Sequence, residues 1–181
     1  DEPLWVYLNI TDAEKKHVKV LRNGEWFTKG SYSIAWAGDD YTGKYAPSGR
    51  YNVALLALDK GYNQSKAATT VAIDRDPPGV FNLSAAPAQI VPNLQTSAFN
   101  FTLSEDCRYY VTVKTKDGQF IRTLRVFDID DASLPGSYAL NWTGLDNENK
   151  VVADGGYQFY IRAYDPAGNS AEGALPVAVS A

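Results

Sequence analysis

Gly30–Asn63 reads GSYSIAWAGDDYTGKYAPSGRYNVALLALDKGYN, and Gly136–Asn169 reads GSYALNWTGLDNENKVVADGGYQFYIRAYDPAGN. The two stretches align without a gap at a constant offset of 106, and 12 of their 34 positions are identical. Such self-similarity marks two copies of one structural unit. In the first copy Tyr32, Ile34 and Trp36 alternate with small or polar residues, as do Tyr138, Leu140 and Trp142 in the second. That period of two predicts a short strand with one face inward in each copy. After a loop rich in Asp, Asn and Gly, a second strand is predicted at Tyr51-Val53-Leu55-Ala57 and at Tyr157-Phe159-Ile161-Ala163, ending in the turn sequences Asp-Lys-Gly-Tyr-Asn and Asp-Pro-Ala-Gly-Asn. A last strand follows at Ala68–Ile73 and at Ala174–Val179.

Upstream of the repeat, the front halves are read as Trp5–Ile10 with His17–Leu21 in the first copy and Phe99–Leu103 with Tyr109–Thr115 in the second. Lys116-Asp117-Gly118 and, more strongly, Asn23-Gly24 are hairpin-turn sequences. No segment carries the apolar stripe of a helix, so the chain is predicted to be all-β. Asp74-Arg75-Asp76-Pro77-Pro78-Gly79 is the expected boundary, because its prolines lack N–H donors and end strand pairing. The predicted domains are residues 1–76 and residues 77–181. Gly79–Ser84 supplies an extra strand before the second copy, and only Asp1-Glu2-Pro3 stand before the first, so the first domain is expected to lack its opening strand. A strand added by a neighbouring chain would fill such a gap.

The pattern Trp-x-Gly-x-Asp, then Gly49-Arg50-Tyr51 or Gly155-Gly156-Tyr157, then a strand ending in Asp, resembles the Ig-like domain of the flagellar hook-capping protein family. It is also similar to the fibronectin-type modules that trail cell-envelope subtilisin-like proteases and to repeats of bacterial and archaeal surface proteins. The resemblance covers about 40 residues per copy and implies two tandem immunoglobulin-like (fibronectin-type) β-sandwich domains. Modules of this kind serve as spacers, scaffolds or adhesion elements, so the resemblance speaks for architecture more than for function. The first copy departs from the pattern at Leu58-Asp59-Lys60-Gly61-Tyr62-Asn63, where Gly does not stand just before Asn. Val126–Pro135 is an insertion in the second copy that carries Asp128, Asp130 and Asp131.

Composition agrees with a β protein of two modules. The 181 residues are 45% hydrophobic and 13% aromatic, a bias suited to pleated, half-buried strands. The net charge is −4 and the densest basic stretch is only Lys15-Lys16-His17-Val18-Lys19, so nucleic acid is not an expected partner. No apolar run approaches the roughly 18 residues of a membrane span. The chain begins at Asp1 and has no Met, the pattern of a processed protein or of a piece of a larger one. Cys107 stands alone beside an apolar run and is expected to be a small core residue.

Catalysis finds little to work with: His17 is the only histidine and no acid or nucleophile is placed near it by motif. One His and one Cys are too few for zinc. Calcium is the metal left open, at Asp40 with Asp39 and Thr42, at Asp146, Asn147 and Asn149, and at Asp128 and Asp130; ordinary turn chemistry accounts for the same residues. Trp36 and Trp142 fall on the inward phase and are expected in the core rather than as sugar-stacking platforms. Trp5, Tyr7, Trp26 and Phe27 are the expected partner-binding patch. Asn9, Asn63, Asn82, Asn100 and Asn141 head Asn-x-Ser/Thr sequons and are glycosylation candidates of an extracellular protein, set against a chance excess in a Ser/Thr-rich chain. The expectation is a non-catalytic structural or interaction module of an extracellular or cell-surface protein, with other protein domains as partners. The alternative is an accessory region of a secreted hydrolase, either carbohydrate-binding or trailing a protease domain.

Overall fold

The computed structural model describes residues 2–126 and 133–180. They form two compact units, Asp1–Arg75 and Asp76–Ala181, and every regular element among the described residues is a strand. The calcium candidates Asp128 and Asp130, with Asp131, lie outside the described residues.

The second unit is a complete sandwich. Its strands are β5 (Val80–Ala86), β6 (Gln89–Ile90), β7 (Ser97–Leu103), β8 (Arg108–Thr115), β9 (Phe120–Arg125), β10 (Gly136–Trp142), β11 (Gly155–Tyr164) and β12 (Ser170–Val179). One sheet has the order β10-β7-β5 and the other β6-β12-β11-β8-β9. Alternation places Phe99, Phe101 and Leu103 of β7 against Tyr109, Val111 and Val113 of β8 and Tyr157, Phe159, Ile161 and Ala163 of β11, all buried in one cluster. Phe99 stacks on Phe159 with centroids 4.9 Å apart, and Phe101 meets Tyr109 edge-on at 5.1 Å. Each large apolar side chain so enclosed contributes about 1.5–3 kcal/mol by leaving water. Cys107 sits in the same cluster. Burial first, then the nearby carboxylates of Glu105, Asp165 and Asp106, push its thiol up to about 11, so it stays protonated at neutral pH. Lys116-Asp117-Gly118 makes the β8–β9 turn, closed by the Gly118 amide donating to Thr115 O at 2.9 Å.

The first unit is one antiparallel sheet, β2-β1-β3-β4, built from β1 (Leu4–Thr11), β2 (His17–Phe27), β3 (Gly49–Leu58) and β4 (Gln64–Ile73). Its core is small: Ile10, Val18, Ala46 and Tyr51, with Leu21, Trp36, Val53 and Ile73 packed against them. Register shows how the units correspond. Ile10, Leu8 and Val6 of β1 oppose Val53, Leu55 and Ala57 of β3, as Val113, Val111 and Tyr109 of β8 oppose Phe159, Ile161 and Ala163 of β11. Thus β1, β2, β3 and β4 match β8, β9, β11 and β12.

Three expectations are corrected by this arrangement. Trp5–Ile10 is the counterpart of β8, not of Phe99–Leu103, so among the described residues the first unit has no counterpart of β5 or of β7. Tyr32–Trp36 is not a strand, although its sequence nearly repeats that of β10, because a strand needs a ladder partner and β7 provides one only in the second unit. Asn23-Gly24 is not a hairpin turn. Val6 pairs with Glu25 and Tyr7 with Asn23, leaving Gly24 as an extra residue in β2 at φ 73°. Bulges and tight turns both favour positive φ, so the dipeptide alone does not choose between them. The true β1–β2 turn is drawn in by Lys16 N donating to Asp12 Oδ1 at 2.7 Å.

Candidate functional site

The repeat residues serve the same local devices in each unit. Trp142 Nε1 donates to Leu145 O at 2.9 Å and Trp36 Nε1 to Asp39 O at 2.8 Å. Tyr157 OH donates to Ala153 O and Tyr51 OH to Pro47 O, both at 2.7 Å. Asp165 Oδ1 accepts from Asn169 N at 2.8 Å, and Asp59 Oδ1 from Asn63 N at 2.9 Å. These side chains close turns and fasten loops over the core, which explains why they recur at a fixed offset.

The described calcium candidates are engaged in the same way. Asp40 Oδ1 accepts from Thr42 N at 2.8 Å, Thr42 Oγ1 at 2.6 Å and Lys44 N at 3.1 Å. Asp146 Oδ1 accepts from Glu148 N at 2.8 Å and Lys150 N at 2.9 Å. Asn147 Oδ1 accepts from Thr123 N at 3.0 Å. The Arg122 guanidinium donates to Asp146 O and, at 3.3 Å, to Asn149 Oδ1. Positive charge is thus already present at the second loop, supplied by the chain itself.

In the first unit Lys19 Nζ lies 2.6 Å from Asp39 Oδ2 and donates to Asp40 O at 2.9 Å, tying β2 to the loop after Trp36. Lys19 holds the Asp39 carboxyl below its ordinary value of 3.8, the Thr42 hydroxyl and amide do the same for Asp40, and Asn63 for Asp59. A carboxyl depressed by folding stabilises the folded state above its unfolded value and ceases to as pH falls through its folded value. The first unit is therefore expected to lose stability below about pH 4, and Lys19→Met to flatten that loss. Urea midpoints of the first unit at several pH values, with and without the substitution, check this; an unchanged acid limb would contradict it.

The expected partner patch is divided between two faces. Trp5, Tyr7 and Trp26 lie on the outer face. Trp5 and Trp26 oppose each other across β1 and β2, with ring centroids 4.6 Å apart. Tyr62 stacks on Trp5 at 6.0 Å, and Lys60 Nζ lies 5.7 Å from the Trp26 ring. Phe27 belongs to the inner face with Leu4. The place of the missing second sheet is this inner face, not the side of Trp5 and Tyr7, because Leu8 and Ile10 of the same strand turn toward the core.

There, Leu4, Val6, Leu8, Leu55, Phe27 and Ile34 line an open groove of about 450 Å³. Leu4, Val6 and Leu55 were readable as inward positions of strands. That they are left open follows only from the strand correspondence. A sequence signal did exist: the distance from Leu4 to Gly30 resembles that from Arg108 to Gly136 and falls well short of that from Ser97.

Trp142 is 1% exposed and meets Tyr157 and Phe159 at 5.3 and 6.0 Å. Trp36 is only partly buried, against Tyr51 at 5.3 Å. Both are packing residues. His17 is exposed at the start of β2. Of the sequon asparagines, Asn63, Asn82 and Asn141 are exposed and Asn9 and Asn100 half-buried.

Residues 88–177 match the model of the FlgD Ig-like domain. Over those residues the second unit is similar to an Ig-like module. The match runs from just before β6 into β12 and leaves the first unit outside it; the internal repeat extends the likeness to that unit. The comparison with curated proteins finds no match. Among solved structures, the chain is similar to dimeric latent PorU from Porphyromonas gingivalis, with a TM-score of 0.45 and 14% identity over 97% of this chain and 16% of that one. It is also similar to a tetra-tandem repeat in the extending region of a large adhesion protein, with a TM-score of 0.44 and 15% identity over 99% of this chain and 42% of that one. The chain thus spans a minor part of either. Ig-like folds are typically non-catalytic, and among the described residues no helix is long and apolar enough to cross a membrane.

Proposed function

We propose that the chain is a non-catalytic structural and interaction module, a spacer or assembly unit, of a larger extracellular or cell-surface protein. The observation that carries this reading is the division of labour between the two units: one has a closed core, and the other presents the same kind of face open and apolar. Side chains able to do chemistry are occupied by the fold. Cys107 is buried and protonated, Trp142 is packed with its N–H satisfied, and Asp40, Asp146 and Asp165 accept hydrogen bonds within their own turns. The exposed sequon residues Asn63, Asn82 and Asn141 support an extracellular setting, where glycans would sit on the outer surface. Partners on this reading are protein segments, met through backbone edges and apolar faces.

The test is a pair of assays on the intact chain: chromatography on glycan resins, and turnover of esterase, protease and glycosidase reporter substrates. The chain is expected to elute unretarded and to turn over none. Retention abolished by Trp5→Ala or Trp26→Ala would instead make the exposed aromatic cluster a carbohydrate platform, and turnover would make the chain an enzyme; either result overturns the reading.

A further inference from the structure

The outer face of the first sheet carries aromatic groups that the fold itself leaves unused. Trp26 of β2, Trp5 of β1 and Tyr62 of the turn between β3 and β4 follow one another across the strands, with centroids 4.6 and 6.0 Å apart. Trp26 is 41% exposed and Tyr62 74%. The indoles of Trp36 and Trp142 donate to carbonyls of their own loops. Among the described residues, the N–H groups of Trp5 and Trp26 and the hydroxyl of Tyr62 have no acceptor. Lys60 Nζ, 5.7 Å from the Trp26 ring, adds a further donor and a positive charge. The equivalent face of the second unit is different: Arg162 pairs with Glu172 at 3.2 Å, and Lys114 Nζ lies 3.5 Å from the centre of the Tyr160 ring, so its polar groups engage one another. Trp5 and Tyr7 correspond in register to Arg108 and Tyr110, while the residues that face the other sheet of the second unit are their neighbours Tyr109 and Val111. The aromatic row therefore turns away from the side of a second sheet, and its exposure does not depend on one.

We propose that this row binds a proline-rich segment in the polyproline II conformation, with an acidic residue where the segment meets Lys60. Hydrogen-bonding complementarity decides the class. The face of a sheet offers no free backbone groups, because its N–H and C=O groups are used in the ladders, so side chains must hold the ligand. Here they are donors set on aromatic rings: two indole N–H groups and a phenol, with an ammonium beside them. A polyproline II segment is the reverse, since its carbonyls are unbonded and its prolines have no N–H to satisfy. Its rings pack on exposed aromatic rings, and being extended already it loses little entropy on binding. It advances about 9 Å per turn, so one turn reaches across the three rings. A sugar fits less well, because each hydroxyl must donate as well as accept. The carboxylate of this turn, Asp59, already accepts from the backbone and side chain of Asn63. This inference rests on the reading of the chain as an interaction module.

The probe is a fluorescently labelled decaproline with a glutamate at each end, titrated into the intact chain and followed by anisotropy. Saturable binding is expected, with a change in tryptophan emission. Trp26→Ala and Tyr62→Ala are each expected to weaken it at least about tenfold, as loss of an aromatic anchor does. Trp26→Phe, which keeps a ring and loses the N–H, is expected to fall between the unaltered chain and Trp26→Ala. Lys60→Glu is expected to weaken binding by a smaller factor that high salt erases. Tyr62 stands on an exposed turn, so Tyr62→Ala keeps the test valid if Trp26→Ala disturbs β2. Absence of saturable binding overturns the proposal, and so does binding that Trp26→Ala and Tyr62→Ala leave unchanged. Equal binding of a Gly-Ser peptide of the same length and charge overturns it too, by removing the need for proline. Displacement of the probe by cellohexaose would make the row a sugar platform, and self-association lost in Trp26→Ala would make a second copy the occupant; both overturn it. Absence of binding leaves the non-catalytic reading intact, since the resin and turnover assays decide that reading.

Discussion

Trp142→Ala is expected to lower the stability of the second unit by about 3–5 kcal/mol, the cost of removing a large aromatic side chain from a core that cannot collapse around the space. The indole is 1% exposed, and it touches both Tyr157 and Phe159. It also donates to Leu145 O, so its loss frees the loop that follows β10. The same substitution at Trp36 is expected to cost the first unit about 1–3 kcal/mol. Trp36 makes the equivalent contact with Tyr51 and donates to Asp39 O, but the position of Phe159 is Val53 in the first unit, and among the described residues no second sheet closes over the ring. Urea unfolding followed by circular dichroism separates the two, since each variant moves the transition of its own unit. Equal losses would mean that the first core is as closed as the second.

Gly144→Ala is expected to destabilise the second unit by about 2–4 kcal/mol, combining an unfavourable positive φ with overpacking. Gly144 has φ 75°, and a Cβ there would fall 2.7 Å from Pro92 Cβ and 2.9 Å from Pro92 Cα. Backbone cannot step aside as a side chain can. Gly38, the repeat partner, has φ 73°, but its nearest neighbours are the ends of flexible chains, Arg75 Nη2 at 2.9 Å and Ile73 Cδ1 at 3.3 Å. Gly38→Ala is therefore expected to cost only the backbone part, about 1–2 kcal/mol. Thermal unfolding of the two variants reads the difference, and a larger loss at Gly38 than at Gly144 would contradict the argument.

The pair shows how far the repeat can be read. Trp36 and Trp142, Tyr51 and Tyr157, and Asp59 and Asp165 were visible as repeated residues, and each performs the same local task in both units. Their tasks depend on neighbours a few residues away, on indole to carbonyl, phenol to carbonyl and carboxylate to amide contacts, which sequence carries with it. The period of two placed Phe159, Ile161, Leu55 and Ala57 on inward faces for the same reason. Asn23-Gly24 was ambiguous because one dihedral preference serves two structures. The candidate groove was hidden because its residues look like ordinary core positions until one asks what lies above them.

From sequence alone came the strand content, the two copies, the inward phase of each strand and the turns that end them, since all of these rest on local periodicity and local dihedral preference. Tertiary structure decided which of two similarly patterned segments becomes a strand. Gly136–Trp142 pairs with β7 and Gly30–Trp36 does not, because a β-strand is completed by hydrogen bonds to a partner that stands far away in the sequence.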